Sequence, residues 1–521
     1  MIVPILSLVT FLPLGGALIL IFLPAERTRM VRFFALGVAV LTFLLSLALY
    51  FGFDSGISSP QFVEQRAWIG HGIQYHLGID GISLFLVLLT TFLIPVALLA
   101  SWGGIGERIK EFSFFMLLLE TGLIGVFVSL NLFLFYVFWE AMLIPMYFII
   151  GIWGGRRRVY ATLKFVIFTM FGSLLMLVAI LVLYAQYHRA TGVYSFSVLD
   201  YYGLSLGAGT QTWLFLAFAL AFAVKIPLFP LHTWLPDAHV EAPTSGSIIL
   251  AAVLLKMGAY GFIRFALPLF PDATRRFLPY LSLLAAFGII YGGLMALVQK
   301  DMKSLVAYSS ISHMGLIMLA VFSLNFEALE GALYQMLNHG LSTGALFLCV
   351  GLLYERSHTR QIKDFGGVGR QMPVFSALFL IVMLSSMGLP GLNGFVGEVL
   401  CFFGIFTSNK VLAVPAVATA ILSAAYLLLL FQKVMHGPIV HESVRAFKDV
   451  GKRELAVLVP VIVLMFWMGL FPGPFLRKMD ASVARVLALA KGKERVSLLP
   501  GAAGAKCPGV LGANGGKRET R

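Results

Sequence analysis

The chain has 521 residues, 59% of them hydrophobic and only 12% charged. A soluble chain carries roughly twice that share of charge, so a water-soluble protein is excluded and a polytopic membrane protein is indicated. Lysine and arginine outnumber aspartate and glutamate by 38 to 24. No basic run with interleaved aromatics stands out, so the excess suits membrane-facing loops and not nucleic acid.

Apolar runs long enough to cross the hydrocarbon layer, about twenty residues each, number about fourteen. They lie near 2–23, 30–52, 80–101, 112–129, 131–153, 163–187, 211–230, 244–265, 277–298, 303–324, 328–354, 373–406, 411–435 and 455–475. The first has no preceding basic region or cleavage site and reads as a retained helix, not a signal peptide. Arg27, Arg29, Arg32, Arg108, Lys110, Arg156, Arg157, Arg158, Lys300, Lys303, Arg356, Arg360 and Lys363 all follow odd-numbered runs. Those loops therefore face the cytoplasm and the N-terminus faces out. Arg275, Arg276 and the basic tail vote the other way. The stretch from Phe53 to Ile79 is the longest outer loop.

Two runs are interrupted. In the seventh, Lys225 is followed by Pro227 and Pro230, each removing a backbone donor and crowding the turn before it. The twelfth carries Gly388, Pro390, Gly391 and Gly394 in SSMGLPGLNGFVGE. Broken helices at membrane depth are tolerated only where protein or water serves the freed backbone groups. The breaks lie five crossings apart, so they enter from opposite sides, which predicts two inverted five-helix repeats. The expected organisation is 1–110 for three N-terminal helices, 111–267 and 268–436 for the repeats, 437–490 for the fourteenth-helix region, and 491–521 for a disordered tail rich in Gly, Ala and Lys.

Ionisable residues at bilayer depth mark an ion or proton path by default. Glu120 and Glu140 lie in the fourth and fifth runs, and Glu140 has no other charge for many residues on either side. Desolvated there, it must find a cation or stay protonated, and Lys225 is the expected partner. A pair that opens and closes would switch the proton affinity of the lysine; the alternative is a static ion pair. Lys256 sits mid-run, too deep to reach either surface easily. His313 and His339 fall on successive runs among Ser309, Ser310, Ser312, Asn338, Ser342 and Thr343. An imidazole titrates near neutrality, so the pair suits a hydrated relay, against the alternative of hydrogen-bonded core histidines. Glu398, just past the second break, is the candidate outlet. Lys164 either joins this line or anchors at the interface.

His232, Asp237 and His239 fit no common metal site, and a proton-entry or structural loop suits them better. Cys349, Cys401 and Cys507 form no metal or disulfide pattern. The chain shows no phosphate loop, haem pair, iron–sulfur cysteine set or nucleophile elbow, so no redox cofactor or nucleotide of its own is expected.

The stretches FYVFWEAMLIPMYFIIGIWGG, VKIPLFPLHTWLPDAHVEAPTSGSIILAAVLLKMGAYGFIRF, SSISHMG and LPGLNGFVGE resemble the antiporter-like membrane subunits of proton-pumping NADH–quinone oxidoreductase, respiratory complex I. The likeness runs through the second to fourteenth runs. The resemblance implies an all-α polytopic inner-membrane subunit with Glu140 as the key glutamate and Lys225 as the broken-helix lysine. It further implies Lys256 as the central lysine, His313 and His339 as the connecting line, and Glu398 as the outlet. Glutamate at 398, where subunits L and N typically carry lysine, is similar to the subunit M (subunit 4) branch. Asn131 departs from the family, many members having aspartate there. Neighbouring L- and N-type subunits, the bilayer and protons are the implied partners. NADH, flavin, iron–sulfur clusters and quinone are implied to belong to other subunits. A subunit of a multi-subunit sodium/proton antiporter or a membrane-bound hydrogenase shares the same core residues and stands as the alternative.

Overall fold

Thirteen helices among residues 4–492, the part described by the computed structural model, are long and apolar enough to cross a membrane. In chain order these are α1 (Ile5–Phe22), α2 (Thr28–Gly52), α3 (Gly81–Ala100), α4 (Ile109–Val128), α5 with α6 (Leu132–Ala141, Leu143–Trp153) and α7 (Arg158–Thr191). After the short α8 (Val198–Tyr201) comes α9 (Ala208–Lys225), then α10 (Trp234–Glu241), which caps the first break. The next crossing, Thr244–Leu269, joins α11 (Thr244–Ile249), α12 (Leu255–Gly261) and α13 (Leu267–Leu269) through π-helical turns at Leu250–Leu254 and Phe262–Ala266. Then follow α14 (Pro271–Leu297), α15 (Met302–Phe322), α16 (Phe326–Ser357) and the short α17 (Val368–Gln371). The broken pair α18 (Pro373–Ser386) and α19 (Asn393–Ser408) supplies the fourteenth crossing, and α20 (Lys410–Met435), α21 (Lys452–Leu470) and α22 (Gly473–Ala490) complete the chain. The tail expected to be disordered, with Cys507, lies from residue 493 onward outside the described residues.

Pro145 and Pro227 leave readable marks, whereas Pro13, Pro95, Pro279, Pro415 and Pro460 lie inside unbroken helices. Pro145 can neither donate to the Ala141 carbonyl nor avoid crowding it, and the fifth crossing stutters at Met142 between α5 and α6. Pro227 cannot serve the Ala223 carbonyl, and the Leu228 N–H does so instead at 2.9 Å. The Trp234 indole N–H donates to the Val224 carbonyl at 2.8 Å. In the second break Leu389 N–H donates to the Leu384 carbonyl at 3.0 Å, and the Asn338 amide donates to the Asn393 carbonyl at 2.8 Å. Freed backbone groups are thus met by protein, as hydrocarbon requires.

The helices sort into centre and rim. Over their most apolar 18 residues, the crossing Thr244–Leu269 and α16 are wholly buried and α15 is 94% buried, whereas α2 is 28% and α7, α20 and α21 are each 39% buried. The helices bearing Lys256, His313 and His339 are therefore wrapped in protein, while α2, α7, α20 and α21 form an exposed rim.

Three features add to the sequence-based expectation. The Phe53–Ile79 loop contains an antiparallel hairpin, β1 (Gln61–Gly70) with β2 (Ile73–Ile79), whose Glu64 carboxylate accepts from the Leu6 N–H at 2.8 Å. Asn131, where many family members carry aspartate, is buried and caps α5, accepting from Phe133 and Leu134 N–H at 3.1 and 3.2 Å, a task asparagine performs as well as aspartate. The fourteenth-helix region holds a crossing, α21, followed by an amphipathic helix, α22, that lies over α3, α13 and α16. Its Ser482 hydroxyl accepts from the Gly81 N–H at 2.9 Å.

Beneath α22 sits a buried ion pair. The Asp80 carboxylate caps α3 by accepting from Ile82 and Ser83 N–H at 3.1 Å each and is 2.6 Å from Arg264 Nη2. Burial pushes this carboxyl up, but the Arg264 guanidinium and the two backbone donors outweigh burial and hold it below the usual carboxylate range. Arg264→Met leaves a buried carboxylate unpaired and is expected to destabilise the chain by about 3–5 kcal/mol, read as a lower thermal midpoint. Asp80→Asn combined with Arg264→Met should recover most of that loss. Because the folded-state value is depressed, the pair's contribution is full above about pH 4 and is lost as pH falls through the folded value; an unchanged acid-denaturation profile in the double variant contradicts this.

Candidate functional site

Lys256 stands at the C-terminal end of the first π-helical turn. A π-turn shifts the acceptor carbonyl from i−4 to i−5 and leaves room beside a carbonyl. The Lys256 ammonium uses that room, donating to the Ala251 carbonyl at 2.7 Å. It also lies 2.5 Å from Nδ1 of His339 on α16. The His339 ring is 5.9 Å, centre to centre, from that of His313 on α15. His313 Nδ1 is 3.7 Å from the Glu398 carboxylate on α19, and its Nε2 is 3.3 Å from the Tyr426 hydroxyl on α20. All four of Lys256, His339, His313 and Glu398 are buried. Four residues from four crossings thus lie in succession, in the order Lys256, His339, His313, Glu398, with a direct hydrogen bond between the first two. Tyr426 is a neighbour that the sequence did not single out.

Lys225 ends α9 and is buried. The expected contact with Glu140 is not made: Lys225 Nζ has no hydrogen-bond partner in the protein. It lies over the Trp139 and Phe165 rings, 5.2 and 5.6 Å from their centres. Glu140 is partly exposed, at the interruption between α5 and α6. The ammonium thus rests between two aromatic faces, one of them Trp139, the residue next to Glu140 in sequence. Lys225 and Lys256 do not touch, although their segments do: Gly258 lacks a side chain where α12 meets the backbone of Phe222 and Ile226.

The remaining charges divide. Lys164 on α7 pairs with Asp237 on α10 at 2.7 Å, which ties the first break to the rim helix. Lys303 is not a loop residue. It lies in the first turn of α15, buried, donating to the Ala242 carbonyl at 2.6 Å. His239 stacks on Phe347 with ring centres 4.5 Å apart, and neither of its ring nitrogens has a protein partner. His232 stacks on Phe229 at 5.4 Å. Glu120 is buried with both oxygens unpartnered. Among the described residues no group of three or more His, Cys, Asp or Glu is arranged to hold a metal. Lys303 was hidden in the sequence because it directly follows a polar loop, and only the crossing of α15 by the segment after α10 buries it.

Two family profiles match. One, described as NADH:quinone oxidoreductase/Mrp antiporter, TM, covers residues 129–423, and the other, NADH-ubiquinone oxidoreductase chain 4, amino terminus, covers 8–126. Among solved structures, respiratory complex I from Thermus thermophilus with bound NADH aligns at TM-score 0.84 and 35% identity, covering 93% of this chain and 99% of that one. The Mrp complex from Dietzia shares the fold at TM-score 0.82 but only 20% identity, over 95% of this chain and 100% of that one. These define the antiporter-like class of membrane subunits. NADH-quinone oxidoreductase subunit M of Rhodobacter capsulatus is 46% identical over 495 residues, 93% of this chain and 96% of its own length. NADH-ubiquinone oxidoreductase chain 4 of Arabidopsis thaliana is 44% identical over 477 residues, 91% and 95% of the two chains. The chain belongs to the NADH–quinone oxidoreductase subunit M, or chain 4, family.

The second break aims Glu398. Gly388 adopts a φ of +74°, and a Cβ there would collide with the Glu398 carboxylate. Gly391 has a φ of +91° but open surroundings. Alanine at either position should cost about 1–3 kcal/mol of backbone strain. Gly388→Ala alone should also depress NADH-driven proton transfer in vesicles, because it alone displaces Glu398. Equal transfer by both variants would show that the carboxylate's position is not critical.

Proposed function

We propose that this chain carries protons across the membrane as the M-type subunit of NADH–quinone oxidoreductase, along Lys225, Lys256, His339, His313 and Glu398, with Glu140 as the gate. The observation that carries the proposal is the close succession from Lys256 to Glu398, since groups within hydrogen-bond reach or one water apart pass protons readily. Unpartnered buried atoms at Lys225 Nζ, His339 Nε2, Asn338 Oδ1, Thr343 Oγ1 and Glu398 Oε1 run along the same line. Buried polar atoms of this kind are served by water, which supplies the missing links, above all between Lys225 and Lys256.

The gate works by charge. When the Glu140 carboxylate approaches, the Lys225 ammonium is held; when it withdraws, burial expels the proton toward Lys256. Proton uptake is from the cytoplasmic side near the first break, and release is through Glu398 toward the outside. Residues 111–267 and 268–436 act as inverted half-units, one holding the gate and the other the outlet. NADH, flavin, iron–sulfur clusters and quinone belong to other subunits, so redox energy reaches this chain as movement or charge. L- and N-type subunits are its neighbours in a bacterial inner membrane.

Glu140→Gln and Lys225→Ala should each cut NADH-driven proton transfer by about a hundredfold, the low end of what a positioned acid or base contributes. Complex assembly should persist. Full pumping with both substitutions together overturns the assignment of the gate.

A further inference from the structure

Opposite the charged line, α2, α3, α16, α21 and α22 enclose an apolar groove of about 620 Å³. Its walls include Phe43, Leu47, Phe92, Leu341, Leu464 and Trp467, with Tyr50 and Phe475 at one end. From Tyr50 to Phe43, and from Trp467 to Pro460, is seven residues of helix, or about 10 Å. That is most of one leaflet of an approximately 30 Å hydrocarbon layer. Trp467 is 44% exposed and Val463 57%, so the groove opens on the rim, toward lipid.

At the Tyr50 end a second cavity of about 460 Å³ is lined by Ser55, Gly473, Pro474, Arg477 and Lys478, with Tyr50 shared between the two. Its chemistry is the reverse of the groove's: two cations, a hydroxyl and the first turn of α22 line it, and the one carboxylate acting on Lys478, that of Asp54, lies outside the lining. Lys478 spends two donors on the Tyr50 and Phe53 carbonyls, each at 3.0 Å, which fixes its ammonium at the mouth and leaves one of three donors. Arg477 is exposed. The basic loops place this end of α2 on the outer side of the membrane, at headgroup level, where amphipathic helices such as α22 lie.

We propose that the paired cavities are a binding site for one anionic phospholipid of the outer leaflet. The acyl chains fill the groove beside α16 and α21, and the phosphate sits at Arg477, Lys478 and the start of α22. A soluble anion would leave the groove unfilled, and a neutral lipid would leave the cations unmatched. The lipid is therefore a structural ligand of this subunit, distinct from the surrounding bilayer.

The test uses the intact complex in phosphatidylcholine vesicles doped, in parallel, with phosphatidylglycerol or phosphatidylcholine carrying a photoreactive diazirine in one acyl chain. After irradiation, adducts are mapped by mass spectrometry, with NADH oxidation as the check on assembly. Adducts are expected on segments 43–51 and 460–468, about fivefold more with phosphatidylglycerol, the effect of one favourable basic contact near a membrane surface. Arg477→Glu should reduce the phosphatidylglycerol signal to the phosphatidylcholine level, and Leu464→Trp, or Leu464→Phe should the larger ring prevent assembly, should remove labelling by both. Equal labelling by the two lipids overturns the anionic preference. Labelling unaffected by Arg477→Glu overturns the headgroup position. Absence of adducts on these segments, as when a neighbouring subunit fills the groove, overturns the site.

Discussion

Hydrocarbon provides no partner for a backbone carbonyl or an ammonium, and in this chain the two needs are met in the same places. Lys225 stands in the last turn of α9, where free carbonyls gather and the helix dipole favours a cation. The Trp139 and Phe165 faces add a second attraction. Lys256 sits where a π-turn frees the Ala251 carbonyl. Irregular backbone thus supplies Lys256 with a carbonyl, while Lys225 rests on aromatic faces at a helix end. This explains why Glu140 need not touch Lys225 in a stable structure, and why a contact between them can serve as an event instead of a fixture.

In the proposed scheme, the distribution of burial sets the relay residues apart from the gate. Lys256, His339 and His313 are held on helices surrounded by protein, and the glycine and asparagine contacts of α16 and α19 leave them little freedom: Asn338 reaches the Asn393 carbonyl, and the Ser385 hydroxyl donates to the Asn393 side chain at 2.6 Å. Glu140 sits instead on a partly exposed face of a stuttering helix. A signal from a neighbouring subunit can reach that face without disturbing the core. In the proposed scheme the coupling enters where packing is loosest, and the relay runs where it is tightest.

Much of this was legible in the sequence because hydrocarbon makes charge and proline conspicuous. Fourteen crossings and both breaks follow from apolar length and from Pro227, Pro230, Pro390 and their glycines. The six candidate residues stand out as lone ionisable groups in apolar runs. What sequence could not supply is pairing across distance. The order of His339 before His313 depends on how α15 and α16 pack, 83 residues separate Lys256 from its imidazole partner, and the choice of Asp237 for Lys164 spans 73. The π-turn at Leu250–Leu254 carries no proline or glycine signature, and Lys256 uses the Ala251 carbonyl within it. Lys303 and Arg264 were hidden for the same reason, since residues near a helix end look solvated until another segment covers them.

The outer end of the molecule shows how far the rim and the relay are coupled. Successive helical residues turn by about 100°, so Leu337 and Leu341, each two positions from His339, project from the face of α16 opposite to the imidazole. Both line the proposed lipid groove. Whatever fills that groove therefore presses on the back of the helix that holds the relay histidine. α22 closes the groove at Phe475 and, through Ser482, also fastens the start of α3, whose cap residue Asp80 grips Arg264 two turns beyond Lys256. The amphipathic helix thus ties the lipid-facing rim to both central lysine- and histidine-bearing crossings. Its basic outer face and apolar inner face make one mechanical link between the membrane surface and the buried line.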